Sequence, residues 1–199
     1  MIDRRFNGGD ETRNRQIGIY LQDQLTIADR WILVLGGRQD WSRTKLTRLL
    51  TGASAIQKDD AFTWRAGLVH RSDSGLGPYA SYSRSFLPQA GTNRNGDPFK
   101  PTEGEQFEAG LRYQPNGKRL LISAALYQLT QKNALTVDPV DTNFSVQTGK
   151  IRSRGFEFEG QAEIAPNLNT LFSYSYTDAR IEKLTAEIVS SDGNLQRVS

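Results

Sequence analysis

Hydrophobic and polar residues alternate with a period of two along most of the chain, a pattern typical of β-strands with one face in an apolar environment. Eight segments show the alternation, and no helical pattern of comparable length competes with it. The predicted strands are Gln16–Thr26, Trp31–Thr44, Ala61–Arg71, Gly77–Phe86, Glu105–Tyr113, Leu120–Thr130, Lys150–Glu163 and Leu168–Thr177. The sixth is apolar on both faces, so the pattern does not assign its sides.

The connections between these segments alternate in length. Short connections at 27–30, 72–76, 114–119 and 164–167 carry turn sequences such as Ser74-Gly75 and Pro166-Asn167. Long connections are predicted at 45–60, 87–104 and 131–149, in the tail from Asp178, and at residues 1–15 as the end of another. A meander with tight turns at one end and long loops at the other is the layout of an outer-membrane β-barrel.

The spacing of tryptophans on the second strand fits a bilayer. Trp31 and Trp41 share a face ten residues apart, or about 34 Å along the strand. A strand tilt of about 45° projects this to about 24 Å, close to the apolar band of a membrane barrel, which is about 25 Å tall and has aromatic girdles at both rims. We therefore expect this face to contact lipid.

The opposite face of the strands carries charged side chains among many Gly and Ser residues. Charges buried in a dry core are costly unless they are paired, whereas a wide hydrated lumen accommodates them. We therefore predict a lumen polar network, with Glu157 and Glu159 pairing with arginines of other strands such as Arg112. Its members are Arg38, Asp40, Arg65, Glu108, Arg112, Glu157 and Glu159.

Composition narrows the choice of function. The 199 residues include no Cys and one His, and 25 Lys+Arg against 22 Asp+Glu give a net charge of +3. Disulfides and thiol chemistry are excluded, and so small a charge, well mixed in sign, does not indicate a nucleic-acid partner. No run approaches the roughly 18 apolar residues of a membrane helix, and the N-terminus has no signal-peptide core.

Two other classes of protein fit parts of the pattern. A complete eight-stranded barrel would be a structural membrane protein or a soluble ligand carrier. In the soluble carrier the ring-rich face would fill an interior that only just holds side chains, and it is too bulky for that space. A membrane version is expected to have a signal peptide and a terminal aromatic residue, and this sequence shows neither. An enzyme would need a catalytic set. The single His70 lies on the apolar face, and Glu157 and Glu159, about 7 Å apart on one strand, fit a charge ladder better than an acid pair. We expect neither catalytic residues nor a metal site.

Six sequence blocks, in order, resemble the TonB-dependent siderophore receptors. They are Gly18–Leu25, Leu33–Trp41, Pro78–Phe86, Lys100–Gly110, Gly149–Glu159 and Ser173–Ala179. Two further stretches, Phe62–Gly67 and Asp138–Val146, are most similar to the ferrichrome-type hydroxamate receptors.

The resemblance implies an all-β, antiparallel transmembrane barrel of 22 strands around an N-terminal plug, in the outer membrane of a Gram-negative bacterium. Ferric siderophore is then the transported ligand, with no further cofactor, and the TonB system and outer-membrane lipid are the partners. Residues 1–199 correspond to about eight strands from mid-barrel, without signal peptide, TonB box, plug or closing strand. Aromatic residues of the loops and upper lumen are the candidate ligand contacts: Trp41, Phe86, Phe99, Phe144 and Tyr176.

Overall fold

Eight long antiparallel strands form one sheet in the structure, a computed structural model that describes residues 9–183, 187–189 and 195–197. The strands are β1 (Asp10–Ile27), β2 (Trp31–Arg48), β3 (Ser54–His70), β4 (Leu76–Leu87), β5 (Thr102–Tyr113), β6 (Leu120–Val137), β7 (Ser145–Ala165) and β8 (Leu168–Lys183). Each pairs with its neighbours in sequence. The short strands β9 (Glu187–Val189) and β10 (Leu195–Arg197) pair with each other. The predicted all-β meander is confirmed.

Tight turns join the strands at one end of the sheet, called here the turn end. Ala28 and Asp29 take positive φ angles of 50° and 56° between β1 and β2, the conformation of a turn that matches the twist of a hairpin. Asn167 has a φ of 65° between β7 and β8. The four short connections therefore lie where the sequence predicted them.

At the opposite end, called the loop end, the strands are longer than predicted. The predicted loop 45–60 shrinks to residues 49–53, because β2 continues to Arg48 and β3 begins at Ser54. The predicted loop 131–149 shrinks to 138–144 in the same way, and β8 extends beyond Asp178 to Lys183. A barrel strand needs about 9–11 residues to cross a bilayer. The extensions are mostly polar with a few scattered apolar residues such as Ile56 and Leu135, so their alternation signal is weak although their backbones pair.

The strand register gives the sheet two chemically distinct faces. One side, the apolar face, aligns Leu35 with Ala66 and then Tyr82, Phe107 and Gln128 across successive strands. The other side, the polar face, carries the predicted lumen charges. The register also settles the sides of β6: Leu126 pairs with Ala109 and Phe156 on the apolar face, whereas Ala125 lies on the polar face.

Within the residues that the structure describes, the sheet is a single layer without a dry core. Among the described residues, Phe99 and Ala125 are the buried hydrophobic side chains, whereas Trp31, Leu35 and Trp41 are 43%, 45% and 48% exposed. The sheet order runs from β1 to β8, and the described residues of these two edge strands form no ladder with each other. The alternative of a closed eight-stranded barrel is therefore wrong, because closure requires that pairing.

Ion pairs mark the loop end of the apolar face. Glu105 lies 3.2 Å from Lys132 and 3.7 Å from Arg84, and Glu182 lies 2.8 Å from Lys150 and 2.5 Å from Arg152. Charged side chains on a lipid-facing surface are costly at the bilayer midplane and nearly free at its rim. The change from aromatic to charged side chains on the apolar face therefore indicates where the hydrocarbon region of a bilayer would end.

The sheet has one short ladder. β3 and β4 pair only from Arg65 with Ser83 to Val69 with Tyr79, although both strands continue toward the loop end. Their separated ends border a cleft of about 400 Å³, whose lining includes Ala61, Thr63, Phe86 and Pro101. We call this cleft the slit. The chain that crosses it belongs to the loop between β4 and β5, residues 88–101.

Candidate functional site

The polar face holds its charges in separate groups. In the first group, on β1 and β2, Arg38 donates to both carboxylate oxygens of Asp40, at 2.7 Å and 2.8 Å. Gln16 donates to the same carboxylate at 3.0 Å. The Asp40 side chain is 5% exposed, so this two-pronged contact supplies the charge and hydrogen bonds that a buried carboxylate needs.

Gly18 makes room for that ion pair. A Cβ at this position would overlap the guanidinium of Arg38 and the carboxylate of Asp40. The guanidinium therefore lies directly over the backbone of β1. Arg65, also on the polar face, donates separately to the side-chain amide of Gln22. The predicted residues Arg38, Asp40 and Arg65 thus share one region of the polar face.

The second group lies on β4 and β5. Tyr79 donates its hydroxyl to Glu108 at 2.8 Å, and Gln106 donates to the other oxygen of Glu108 at 3.2 Å. The ring of Tyr79 covers Gly110, where a Cβ would overlap it. Glu108 is therefore held by neutral donors and has no arginine within ion-pair distance among the described residues.

The expected pairing of Arg112 with the β7 carboxylates is absent in the part of the chain that the structure describes. Arg112 donates to Gln114 at 3.3 Å, toward the turn end. Glu157 and Glu159 lie on the polar face opposite Ala125 and Ser123, where they are exposed. The register explains this: Arg112 also pairs with Ser123, which leaves one whole strand between it and Glu159. The seven predicted lumen residues share a face but do not form one network.

The five candidate ligand contacts are not brought together. Trp41 and Tyr176 lie on the apolar face, paired with Ile17 and Phe156, and are 48% and 60% exposed there. Phe86 lines the slit. Phe99 is buried at 7% exposure, and Phe144 ends the β6–β7 loop at 38% exposure. Contact of any of them with a ligand stays a prediction.

The sequence did not predict four hydrogen-bonding residues at the loop end. Gln57, Thr102, Asn133 and Gln147 lie in segments that were predicted as loops, and all four bond to the β4–β5 loop or its anchors. The one local signal is Asn133, which takes a φ of 57° inside β6. Asn is among the few residues that tolerate this conformation.

Neither a helix that would span a membrane nor a group of three metal-ligating side chains occurs in the residues that the structure describes. His70 stacks against Trp31, with ring centroids 4.6 Å apart. The polar face presents hydrogen-bonding and charged groups such as the Arg38–Asp40 pair and Glu108. A long-stranded meander with an exposed ring-rich face and a charged opposite face defines a section of a transmembrane β-barrel wall.

The chain belongs to the family described as TonB dependent receptor-like, beta-barrel, whose model matches residues 3–198. The ferrichrome outer membrane transporter/phage receptor of Escherichia coli K12 is 39% identical over 167 residues, which are 84% of this chain and 22% of that protein. The ferrioxamine B receptor of Salmonella typhimurium is 39% identical over 171 residues, which are 85% of this chain and 24% of the relative. The chain thus spans less than a quarter of these relatives.

Solved structures agree on the fold. The siderophore receptor PiuA of Acinetobacter baumannii superposes with a TM-score of 0.77 at 24% identity, covering 94% of this chain and 28% of that one. The alcaligin outer membrane receptor FauA of Bordetella pertussis gives a TM-score of 0.71 at 25% identity, covering 94% and 32%. The family is made up of receptors and transporters, and its barrels reside in the outer membrane of Gram-negative bacteria.

Proposed function

We propose that this chain is part of the barrel wall of an outer-membrane receptor that binds ferric siderophore, of the hydroxamate type, and imports it with energy from the TonB system. The main support for the proposal is that the two faces of the sheet differ in chemistry. An exposed ring-rich face fits lipid, and a charged opposite face fits a hydrated lumen. The ferrichrome and ferrioxamine receptors among its relatives support the hydroxamate class.

On this proposal residues 1–199 contribute barrel wall, and the plug, the TonB box and further strands of the receptor are formed by chain outside this range. Recognition is by hydrogen bonds and ring contacts, and no catalytic step is involved. Iron arrives already chelated, so the protein needs no iron ligand of its own. Phe144, which is 38% exposed in the β6–β7 loop, is the candidate that we expect at the mouth, and Phe86 could contact a ligand only through the slit that it lines.

The test uses the complete receptor that contains this chain, purified in detergent. We expect saturable binding of ferrichrome or ferrioxamine B, and weaker binding of a ferric catecholate, measured by isothermal titration. In cells, iron uptake from the preferred chelate should require an intact TonB system. Preference for the catecholate would overturn the hydroxamate assignment, and failure to bind any ferric chelate would overturn the receptor proposal.

A further inference from the structure

One peptide group of the β4–β5 loop is held from two sides of the polar face. The carbonyl of Phe99 accepts a hydrogen bond from the side-chain amide of Gln57 on β3, at 2.8 Å. The N–H of the same peptide group, which belongs to Lys100, donates to the side-chain oxygen of Gln147 on β7, at 2.8 Å. Strands four places apart in the sheet thus meet at a single peptide bond.

The side-chain amide of Gln147 forms hydrogen bonds with the backbone of Lys100, as the backbone of a neighbouring strand would. Its side-chain nitrogen donates to the Lys100 carbonyl at 2.5 Å and to the Asn133 carbonyl at 2.9 Å, while its oxygen accepts the Lys100 N–H. A primary amide has the donors and the acceptor to make all three bonds. The pairing depends on backbone groups and is therefore insensitive to the side chain at position 100.

A second set of bonds anchors the end of the loop. Asn133 donates to the carbonyl of Pro101 at 2.9 Å, and its own carbonyl accepts the hydroxyl of Thr102 at 3.0 Å. Gln89, at the start of the loop, donates to the Thr102 hydroxyl at 2.9 Å. Both limbs of the loop are thus tied to β6 through Thr102.

Packing and charge hold the rest of the loop in place. Phe99 is buried against Gly91, whose φ of 105° excludes most other residues, and the Phe99 N–H donates to the Gly91 carbonyl at 3.2 Å. Arg94, near the loop tip, lies 4.0 Å from the carboxylate of Asp138, which is 4% exposed and belongs to the β6–β7 loop. The two loops are therefore linked electrostatically as well.

These contacts lie where the sheet is weakest. The β3–β4 ladder stops at Arg65 and Ser83, and toward the loop end the slit is bridged by residues 99–101, which we call the strap. Gln57 holds the strap from the β3 side, and Asn133 and Gln147 hold it from the β6–β7 side. With both sides attached, the strap closes a gap that the strand pairing leaves open.

We propose that Gln147, Gln57 and Thr102 are positioning residues that fix the strap, and with it the β4–β5 loop, over the polar face, and that this placement sets the shape of the mouth at which ligand binds. The claim about the ligand mouth rests on the proposed function, whereas the claim that these residues hold the loop does not. A held loop binds without the entropic cost of ordering it first. Releasing either side of the strap then weakens ligand binding without removing a group that touches ligand.

The experiment uses the complete receptor and two readouts. Trypsin cleavage after Arg94 reports release of the loop, and cleavage after Lys118, in a turn at the other end of the sheet, is the internal reference; the Lys100–Pro101 bond resists trypsin. We expect Gln147→Ala to raise the rate at Arg94 about tenfold, which corresponds to ~1.4 kcal/mol. Thr102→Val keeps the shape of the side chain, loses its two hydrogen bonds and should give a smaller increase.

Gln161→Ala is the matched control, because Gln161 is on the same face of the same strand but at the turn end. It should leave both readouts unchanged. Ferrichrome affinity should fall about tenfold in Gln147→Ala and less in Gln57→Ala and Thr102→Val. Equal rates of trypsin cleavage after Arg94 in all variants would overturn the proposal that these residues hold the strap. Faster cleavage with unchanged ferrichrome affinity would overturn the proposal that the strap shapes the mouth. If the wild-type receptor binds no chelate, the proposed function fails while the trypsin result still decides the strap.

Discussion

Glycines on the polar face give space to aromatic rings of the neighbouring strand. Gly155 on β7 lies under the ring of Tyr127, whose hydroxyl is 2.6 Å from that of Thr177 on β8. Gly110 lies under Tyr79 in the same way. Each ring covers backbone that glycine leaves bare, and its hydroxyl then reaches a polar partner. At these positions the absence of a side chain determines the local packing.

Gly155→Ala should therefore destabilise the barrel, because the new Cβ would overlap the Tyr127 ring and force it off its hydrogen bond. Overpacking of this kind costs about 1–3 kcal/mol. The measurement is the free energy of unfolding of the complete receptor in denaturant. Gly160→Ala on the same strand is the control, since the nearest atom to its Cβ is an edge carbon of Phe158 at 3.9 Å. A loss as large for Gly160→Ala as for Gly155→Ala would contradict the explanation.

At the scale of elements, each strand separates two environments. β2 shows this clearly: Trp31, Leu35 and Trp41 are exposed on one face, whereas Asp40 and Ser42 are 4% and 5% exposed on the other. Side chains alternate along a strand, so a shift of one residue would exchange the two sets. The continuous register between β1 and β2, from Asp10 with Arg48 to Ile27 with Trp31, fixes which set faces which side.

A charge placed on the apolar face of β2 tests this assignment. Leu35→Lys, midway between Trp31 and Trp41, should cost about 2–4 kcal/mol in a bilayer, the range for a cation near the midplane. Val34→Lys puts the same charge on the polar face and should cost less. Folding of the complete receptor into phosphatidylcholine vesicles across a urea series gives both values. If the two costs were equal, or their order reversed, the lipid-facing side would be assigned wrongly.

At the scale of the whole molecule, β1–β8 form an open sheet in the described residues. Both edge strands, β1 and β8, present backbone N–H and C=O groups that have no partner strand within the described residues. A bilayer does not hydrate such groups, and only closed barrels satisfy all of them. The sheet is thus one section of a larger wall, in agreement with the small share of the family relatives that it covers.

It follows that the 199-residue chain, refolded alone in detergent, should not form a stable monomer. We expect aggregates or a sample that proteases digest quickly, because open edges recruit other chains. Size-exclusion chromatography, proteolysis and the gel shift between boiled and unboiled samples measure this, with the complete receptor as the positive control. A heat-modifiable, protease-resistant monomer from the isolated chain would show that its edges are satisfied internally.

The sequence by itself determined the class of fold, the number and order of the eight long strands and the two faces of every long strand except β6, because period-two alternation and turn residues are local signals. It also placed the short turns, where Asn167 and Gly75 take the positive φ angles that their residue types permit. It failed at the loop end, where the strands continue through mostly polar sequence with scattered apolar residues such as Ile56 and Leu135, so that pairing leaves little pattern to detect.

Only the tertiary structure decided which polar groups meet. Arg38 with Asp40 is close in sequence, but Gln57, Phe99 and Gln147 meet across ninety residues of chain. Their contact depends on the register of the five strands from β3 to β7 and on the loop that returns across the slit. Single-residue types do not encode such a juxtaposition, because it arises only when distant strands are aligned side by side.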